Sequence, residues 1–214
     1  MVIASVLIFA GCATIAEPHG WSGPVANEDL ILVSTEGDIS AIDISPGLEA
    51  EALDRSWEFP DSGLDIDDSV NPEGIYGEPV ISGEFVYYGA YDGRVYSLSL
   101  DTGRPSWIEP FNAESKIIGG VLLDNNTIYF GADNGMVFAL NAESGEMIWD
   151  KPMSVGGAIW TAPLIIDGTL YVANLDGQIT AIDASSGLLS DKWQRPVDVG
   201  SGIISMALFE SDII

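Results

Sequence analysis

Cysteine and basic residues are scarce in this sequence of 214 residues. Cys12 is the single cysteine, so an intrachain disulfide and a cysteine-rich zinc site are excluded. Seven lysine and arginine residues stand against 33 aspartate and glutamate residues, which gives a formal net charge of −26. Such a charge repels phosphate groups and therefore disfavours nucleic acid and anionic lipid headgroups as partners. It is compatible with a calcium-binding surface, a cationic partner, or a protein kept soluble in salty surroundings.

Sequence motifs for catalysis are also absent. The only histidine is His19, and the chain has no phosphate-binding glycine-lysine loop, no histidine pair for a metal and no Gly-x-Ser-x-Gly motif. One segment, residues 61–73, concentrates acidic side chains: Asp61, Asp65, Asp67, Asp68 and Glu73. Their spacing is not that of a known calcium loop, so we interpret the segment as a solvated loop and leave calcium binding open. We predict no catalytic, cofactor-binding or metal-binding residues.

The apolar run at the N-terminus, residues 2–10, is too short to span a bilayer but has the length of a signal-peptide hydrophobic region. Residues 8–12 resemble the lipobox of bacterial lipoproteins, in which small residues precede a cysteine that receives a diacylglyceryl group. The resemblance implies a signal peptide over 1–12, a lipid on Cys12 and a tether over 13–20. Phe9 stands where leucine is usual, and no basic residue precedes the run, which suggests a true start upstream. A buried strand with an inert cysteine is the alternative.

A repeat of 42 residues organises most of the chain. Gly93, Gly135 and Gly177 lie 42 residues apart, and each has an alternating apolar segment before and after it. An Asp-Gly or Asn-Gly pair precedes each second segment, at 92–93, 134–135 and 176–177. Such pairs between alternating segments are typical of a β-hairpin with a tight I′ turn, because both residues tolerate positive φ. Each unit is therefore predicted to contain a central hairpin.

Further strands flank each hairpin. Pro79, Val121 and Pro163 occupy equivalent places inside apolar runs, which predicts an inner strand in each unit. Trp107 and Trp149 follow turn residues and mark an outer strand. Four strands per unit, without helical periodicity, are typical of the blades of a β-propeller, which pack face to face around a channel.

The repeat extends beyond these three units in both directions. Residues 21–24 match residues 160–163, and Glu36-Gly37 match the pair at 176–177, so an earlier unit exists with insertions in its loops. At the far end, residues 202–208 match the inner strand once more. The sequence therefore predicts an all-β fold: an incomplete β-propeller over 21–214 with four blades and the start of a fifth. Because four blades close a ring poorly, we interpret the chain as a fragment, with a dimer of half-rings as the alternative.

The outer half of each unit carries one motif. In the third unit it consists of Ala139, Asn141, Gly145 and Trp149, spaced as Ala-x-Asp-x-x-x-Gly-x-x-x-Trp. This pattern resembles the PQQ-repeat family of β-propellers. The other units keep the glycine and the tryptophan: Gly47 and Trp57, Gly103 and Trp107, Gly187 and Trp193. In that family the tryptophans dock each blade on the next. The resemblance therefore implies a structural role in blade docking for Trp57, Trp107, Trp149 and Trp193.

The resemblance leaves more than one function open. One branch of the family holds pyrroloquinoline quinone and calcium and oxidises alcohols or sugars, with cation ligands that this sequence does not supply. Another branch includes the lipoprotein subunit of the outer-membrane protein assembly machinery. Together with the lipobox, it implies a non-catalytic scaffold without a cofactor, anchored in the cell envelope and facing the periplasm or exterior. Such a protein binds other envelope proteins through its propeller loops. A dehydrogenase fragment whose site lies in missing blades, and an extracytoplasmic ligand-binding protein, are the alternatives.

Overall fold

The computed structural model describes residues 20–45, 55–60 and 72–207. Within these ranges the chain forms four antiparallel sheets of four strands each, and the sheets do not close into a ring. Each sheet is completed before the next begins, so we refer to them as blades 1 to 4 in chain order. The predicted all-β, incomplete propeller is confirmed. No helix with the length and apolarity needed to cross a bilayer occurs in the described part of the chain.

The strands of each blade run outward from the channel in chain order. Blade 1 contains β1 (Val25–Ala26), β2 (Leu30–Thr35), β3 (Asp38–Asp43) and β4 (Arg55–Phe59). Blade 2 contains β5 (Val80–Ser82), β6 (Phe85–Gly89), β7 (Arg94–Ser99) and β8 (Phe111–Asn112). Blade 3 contains β9 (Leu122–Asp124), β10 (Thr127–Gly131), β11 (Met136–Asn141) and β12 (Met153–Ser154). Blade 4 contains β13 (Leu164–Ile166), β14 (Thr169–Ala173), β15 (Gln178–Asp183) and β16 (Val197–Asp198).

The central hairpins form as predicted, but their turns differ from the predicted type. Residues 90–93 join β6 to β7 as a four-residue loop in which the Gly93 N–H donates to the Ala90 carbonyl at 3.1 Å. In this loop the glycine alone has positive φ, +84° at Gly93, so the I′ assignment was wrong. Turns with positive φ at both residues occur instead between the inner two strands. They lie at Asn125-Asn126 (43° and 64°) and Asp167-Gly168 (48° and 71°).

The outer strands are shorter than the sequence pattern suggests. In blades 2 and 3 the chain first makes single bridges to the neighbouring strand, Leu98 with Pro105 and Leu140 with Met147. The tryptophan follows the bridge, and the two-residue strand β8 or β12 begins only after it. Trp107 and Trp149 therefore lie before their outer strands rather than within them, because the ring turns away from its own sheet toward the next blade.

The hydrophobic core lies between the blades. On β6, the buried side chains of Val86 and Tyr88 pack with blade 1, whereas Tyr87 packs with blade 3. This division follows from the strand period of two, which sends successive side chains to opposite faces of a sheet. Each blade therefore contributes one face to each of two cores, and its stability depends on its neighbours.

The segments that link the blades are fixed by a repeated pair of hydrogen bonds. The Asp133 N–H in the hairpin loop of blade 3 donates to the carbonyl of Lys116 at 2.8 Å, just before that blade. The Ile159 N–H, just after it, donates to the Ala132 carbonyl at 3.2 Å. The segment that leaves blade 4 has the same bond, from Ile203 to the Asn174 carbonyl at 3.1 Å. Residues 202–207 thus follow the path of an inner segment, although no strand is formed there.

Candidate functional site

The tryptophans of the repeat motif connect neighbouring blades. The indole N–H of Trp57 donates to the Leu100 carbonyl at 2.8 Å, and its ring is 8% exposed. The two equivalent bonds run from Trp107 to Ala142 at 2.9 Å and from Trp149 to Ala184 at 3.0 Å. In all three cases the acceptor belongs to the following blade. Each ring is therefore buried between two sheets with its polar atom satisfied.

The other motif residues shape the turn that receives the ring. The side-chain oxygen of Asn141 accepts hydrogen bonds from the backbone N–H groups of Glu143 at 2.9 Å and Ser144 at 3.0 Å. Gly145 follows with φ +73°, and a Cβ on it would lie 2.8 Å from the ring of Trp107. The turn therefore requires glycine both for its backbone conformation and for the space that the indole occupies.

Blade 4 has a charged version of the same turn. Asp183 replaces the asparagine and accepts hydrogen bonds from the hydroxyls of Ser185 and Ser186, both at 2.7 Å. These bonds, with the backbone N–H of Ser186, hold the pKa of the Asp183 carboxyl below its ordinary value. Trp193, the motif tryptophan of this blade, is half-buried and packs edge-on against Tyr171 of its own sheet at 5.2 Å.

A cleft of about 600 Å³ opens where the inner segments of the blades converge. We call it the channel-mouth cleft. Its walls come from all four blades and from the segment that follows blade 4, and they include Trp21, Tyr76, Glu78, Val121, Trp160 and Ile204. Two of its tryptophans remain open to solvent, Trp21 at 76% and Trp160 at 41% exposed. Glu78 is the sole charged residue of the wall in the described part of the chain.

Glycines allow the inner segments to approach one another beside the cleft. A Cβ on Gly77 would lie 2.4 Å from the Cα of Gly120, and a Cβ on Gly119 would lie 2.5 Å from the carbonyl oxygen of Thr161. These contacts involve backbone atoms, which cannot move aside as a flexible side chain can. The backbones of blades 2, 3 and 4 are therefore in direct contact where they enter the cleft wall.

Aromatic and charged side chains continue from the cleft across the loops of the same face. We call this set the aromatic strip, and it consists of Trp21, Tyr76, Tyr91, Lys116, Asp133 and Trp160. The ring of Trp21 lies edge-on to Tyr76 at 4.6 Å, and Tyr76 lies 5.6 Å from Tyr91. At the other end, the indole N–H of Trp160 donates to Asp133 at 2.8 Å. Both ends of the strip are thus positioned by neighbouring side chains.

Lys116 occupies the middle of the aromatic strip. Its ammonium group lies 4.3 Å from the centre of the Tyr91 ring and donates to the Tyr91 hydroxyl at 2.6 Å. This hydrogen bond raises the pKa of Lys116, and the carboxylates of Asp133 and Glu73 favour the charged form further. Within the strip, the ammonium group of Lys116 is therefore held by an aromatic ring and favoured by nearby carboxylates.

Several residues of the sequence analysis lie outside the described residues. These include Cys12, His19, Gly47 and the acids Asp61, Asp65, Asp67 and Asp68. Within the described ranges, no group of three or more histidine, cysteine, aspartate or glutamate side chains could hold a metal ion. A second cleft, of about 780 Å³, lies at the opposite end of β5 and is lined by Asp29, Asp43, Glu84 and Asp101 among others.

The aromatic strip is not predicted from the sequence. Trp21 and Trp160 are matched there only as markers of equivalent units, and Tyr91 lies between the apolar segment 86–90 and the Asp92-Gly93 pair without a predicted role. The residues of the strip share one feature: each lies in a linking segment or a hairpin loop at the same end of its blade. An aromatic residue in such a segment lies outside the alternating pattern that builds the core, and this feature could have identified the strip.

A family model described as "Outer membrane protein assembly factor BamB" matches residues 21–109 and 111–206. The chain belongs to this family of PQQ-like repeat propellers. No curated protein matches the sequence. The matched residues include the motif turns, the docked tryptophans and the channel-mouth cleft, so the whole described propeller lies within the family's range.

Solved structures share the fold at low sequence identity. The computationally designed Ika8 protein matches with a TM-score of 0.67 and 16% identity, over 87% of this chain and 52% of its own. BamB from Moraxella catarrhalis matches with a TM-score of 0.58 and 22% identity, over 78% of this chain and 47% of its own. Quinohemoprotein alcohol dehydrogenase from Comamonas testosteroni matches with a TM-score of 0.63 and 18% identity, over 86% of this chain and 36% of its own. The chain therefore spans about half the length of the first two proteins.

Proposed function

We propose that this protein is a non-catalytic, membrane-anchored propeller lipoprotein of the cell envelope that binds partner proteins through its loops. The observation that carries the proposal is the aromatic strip, a row of partly exposed rings on one loop face of a rigid set of blades. Exposed tryptophan and tyrosine side chains are enriched where proteins bind one another. The family description, an outer membrane protein assembly factor, supports a role in envelope protein assembly.

The chemistry of the cleft argues against a quinone enzyme. Pyrroloquinoline quinone carries several carboxylates, and a site for it needs positive groups and a metal ion. The described wall of the channel-mouth cleft offers one charged residue, Glu78, which has the wrong sign. Lys116 lies nearby, but it is engaged by Tyr91. These residues do not fit the cofactor, so we derive no catalytic step from it.

The membrane anchor rests on the lipobox-like segment that ends at Cys12. In a bacterial host, the full-length precursor is expected to incorporate labelled fatty acid, because the cysteine thiol is the acceptor of the lipid. Cys12→Ala should abolish the label, whereas Ser5→Ala, in the same segment, should retain it. Equal labelling of the Cys12→Ala protein would refute the anchor.

The binding role is tested on the full-length protein at its membrane. Crosslinking should recover defined protein partners, and incubation with pyrroloquinoline quinone and calcium should yield neither bound quinone absorbance nor dye-linked oxidation of alcohols or sugars. Stoichiometric cofactor binding with turnover would replace the scaffold by a dehydrogenase. Absence of both cofactor and partners would favour binding of a small ligand instead.

A further inference from the structure

The channel-mouth cleft and the aromatic strip together have the chemistry of a cation-binding surface. Two indole rings, Trp21 and Trp160, are exposed at opposite ends of the strip. The faces of aromatic rings attract ammonium and guanidinium groups, and tryptophan does so most strongly. Edge-on packing on Tyr76 and the hydrogen bond to Asp133 hold the two rings in place while leaving part of each in solvent.

One cation already lies on this surface. Lys116 places its ammonium group over Tyr91, between the two exposed tryptophans in the order of the strip. The same residue shows how the surroundings act on a cation, because Asp133 and Glu73 both favour its charged form. An incoming lysine or arginine would meet at Trp160 an exposed ring with the Asp133 carboxylate at its N–H, and at Trp21 an exposed ring in the cleft wall that also contains Glu78.

Charge selects the class of partner. The chain carries a net charge of −26, and Glu78 adds a carboxylate to the cleft wall itself. An acidic segment would be repelled by the protein over long range, whereas a basic segment would be attracted. The exposed tryptophan rings, and not the charge alone, distinguish this cleft from the more acidic cleft at the other end of β5. The cleft has a volume of about 600 Å³, and its walls come from the inner segments of several blades. Because Trp21 and Trp160 lie at opposite ends of the aromatic strip, a segment that contacts both rings must do so with more than one side chain.

We propose that the channel-mouth cleft binds an extended, basic segment of a partner protein and that lysine or arginine side chains of this segment stack on Trp21 and Trp160. The proposal rests on the protein-binding role above and specifies the surface and the chemistry of the partner. It requires no cofactor and no metal ion.

The test measures the affinity of the full-length protein for three synthetic peptides by calorimetry. All three have blocked termini and the same sequence, except that three positions hold arginine, citrulline or glutamate. Citrulline keeps the shape of arginine without its charge. The arginine peptide is expected to bind, the citrulline peptide at least tenfold more weakly, and the glutamate peptide not at all. Affinity for the arginine peptide should fall as salt rises, because salt screens exposed charges.

Variants locate the binding surface. Replacing both rings, Trp21→Ala with Trp160→Ala, should weaken binding of the arginine peptide at least tenfold. The matched control is Ile108→Ala, which removes an exposed apolar side chain away from the cleft and should bind normally. Circular dichroism of each variant checks that the blades remain folded. Equal affinity of the double variant and the control would overturn the proposal, as would equal binding of the arginine and citrulline peptides.

Three further outcomes decide between this proposal, the protein-binding role alone and binding of the chain's own tether. If the double variant recovers the same crosslinked partners as the unaltered protein, the scaffold stands and the cleft is not its binding surface. If the arginine peptide binds only after residues 13–19 are deleted, the chain's own tether occupies the cleft and blocks the peptide, and the proposal is overturned. Loss of the partners in the double variant, with peptide binding lost in parallel, supports it.

Discussion

The tryptophans between the blades and those at the channel mouth have opposite surroundings. Trp57, Trp107 and Trp149 are buried, and each donates its N–H to a backbone carbonyl of the next blade. Trp21 and Trp160 lie at the open end of the inner segments and expose much of their rings. The first set stabilises the propeller, whereas the second set leaves apolar surface in water and gains little stability from it. The role of a tryptophan in this fold therefore depends on whether the next blade covers its ring, and not on the residue type alone.

The largest expected effect is at the interface between blades 3 and 4. Trp149→Ala should lower the free energy of unfolding by about 3 to 5 kcal/mol, because it removes a buried ring and one of the two hydrogen bonds to the Ala184 carbonyl, which keeps the bond from the Tyr129 hydroxyl. Urea denaturation followed by circular dichroism measures the change. A loss under about 1 kcal/mol would show that the ring is dispensable for the interface.

Two glycines of blade 4 separate the contribution of the ring from that of the backbone. Gly187 and Gly168 both have φ +71°, but a Cβ would meet the Trp149 ring at 2.5 Å only on Gly187. Gly168→Ala should cost about 1 to 2 kcal/mol through its backbone conformation. Gly187→Ala should cost about 1 to 3 kcal/mol more, because the methyl group displaces the indole. Equal losses in denaturation experiments would contradict the tight packing between turn and ring.

At the channel mouth the expected effect on stability is smaller. Trp160→Ala removes a partly exposed ring and one hydrogen bond to Asp133, so its cost should stay below about 1 kcal/mol. The same denaturation series checks it against Trp149→Ala. A loss as large as that of the buried tryptophan would mean that the ring is part of the core, and the distinction between the two sets would fail.

The smallest expected effect concerns pH. The folded-state pKa of Asp183 is lowered by its hydrogen bonds, so its contribution to stability is present above the ordinary pKa of aspartate and is lost as the pH falls through the lowered value. Asp183→Asn keeps an acceptor oxygen, as Asn141 does in blade 3, and should change stability by no more than about 0.5 kcal/mol at pH 7.

The pH dependence supplies the control for this substitution. As the pH falls from neutral, the contribution of the Asp183 carboxylate should begin to decrease at the ordinary pKa of aspartate and be lost only below the lowered value of the folded state, where the side chain is uncharged in both proteins. A difference that grows with acidity would contradict the direction of the shift.

The repeat was sufficient to predict the blades but not their turns. Period-two alternation around Gly93, Gly135 and Gly177 predicted the central hairpins, because alternating side chains must face two neighbouring blades. The turn type depends on how many residues the loop contains, and an Asp-Gly pair inside a four-residue loop needs positive φ only at the glycine. The loop length is not evident from the sequence, because the apolar segment before Gly93 continues to Ala90 although β6 ends at Gly89.

The candidate site was less predictable than the fold. Trp21 and Trp160 are 139 positions apart in the sequence, and only the convergence of the inner segments places both in one cleft wall. The pairing of Lys116 with Tyr91 likewise joins a linking segment to a hairpin loop of the preceding blade. A motif search finds a residue type that recurs in every unit. The aromatic strip instead combines different residue types at equivalent positions, such as Tyr91 and Asp133 in the hairpin loops, so no single recurring residue identifies it.

The most direct test of the account is a titration of 5-fluorotryptophan-labelled full-length protein with the arginine peptide, followed by fluorine NMR. Single substitutions assign the resonances of the six tryptophans. The account predicts that the peptide shifts the resonances of Trp21 and Trp160 and leaves those of Trp57, Trp107 and Trp149 unchanged. Shifts confined to the buried tryptophans, or no shift at the channel mouth under saturating peptide, would contradict it.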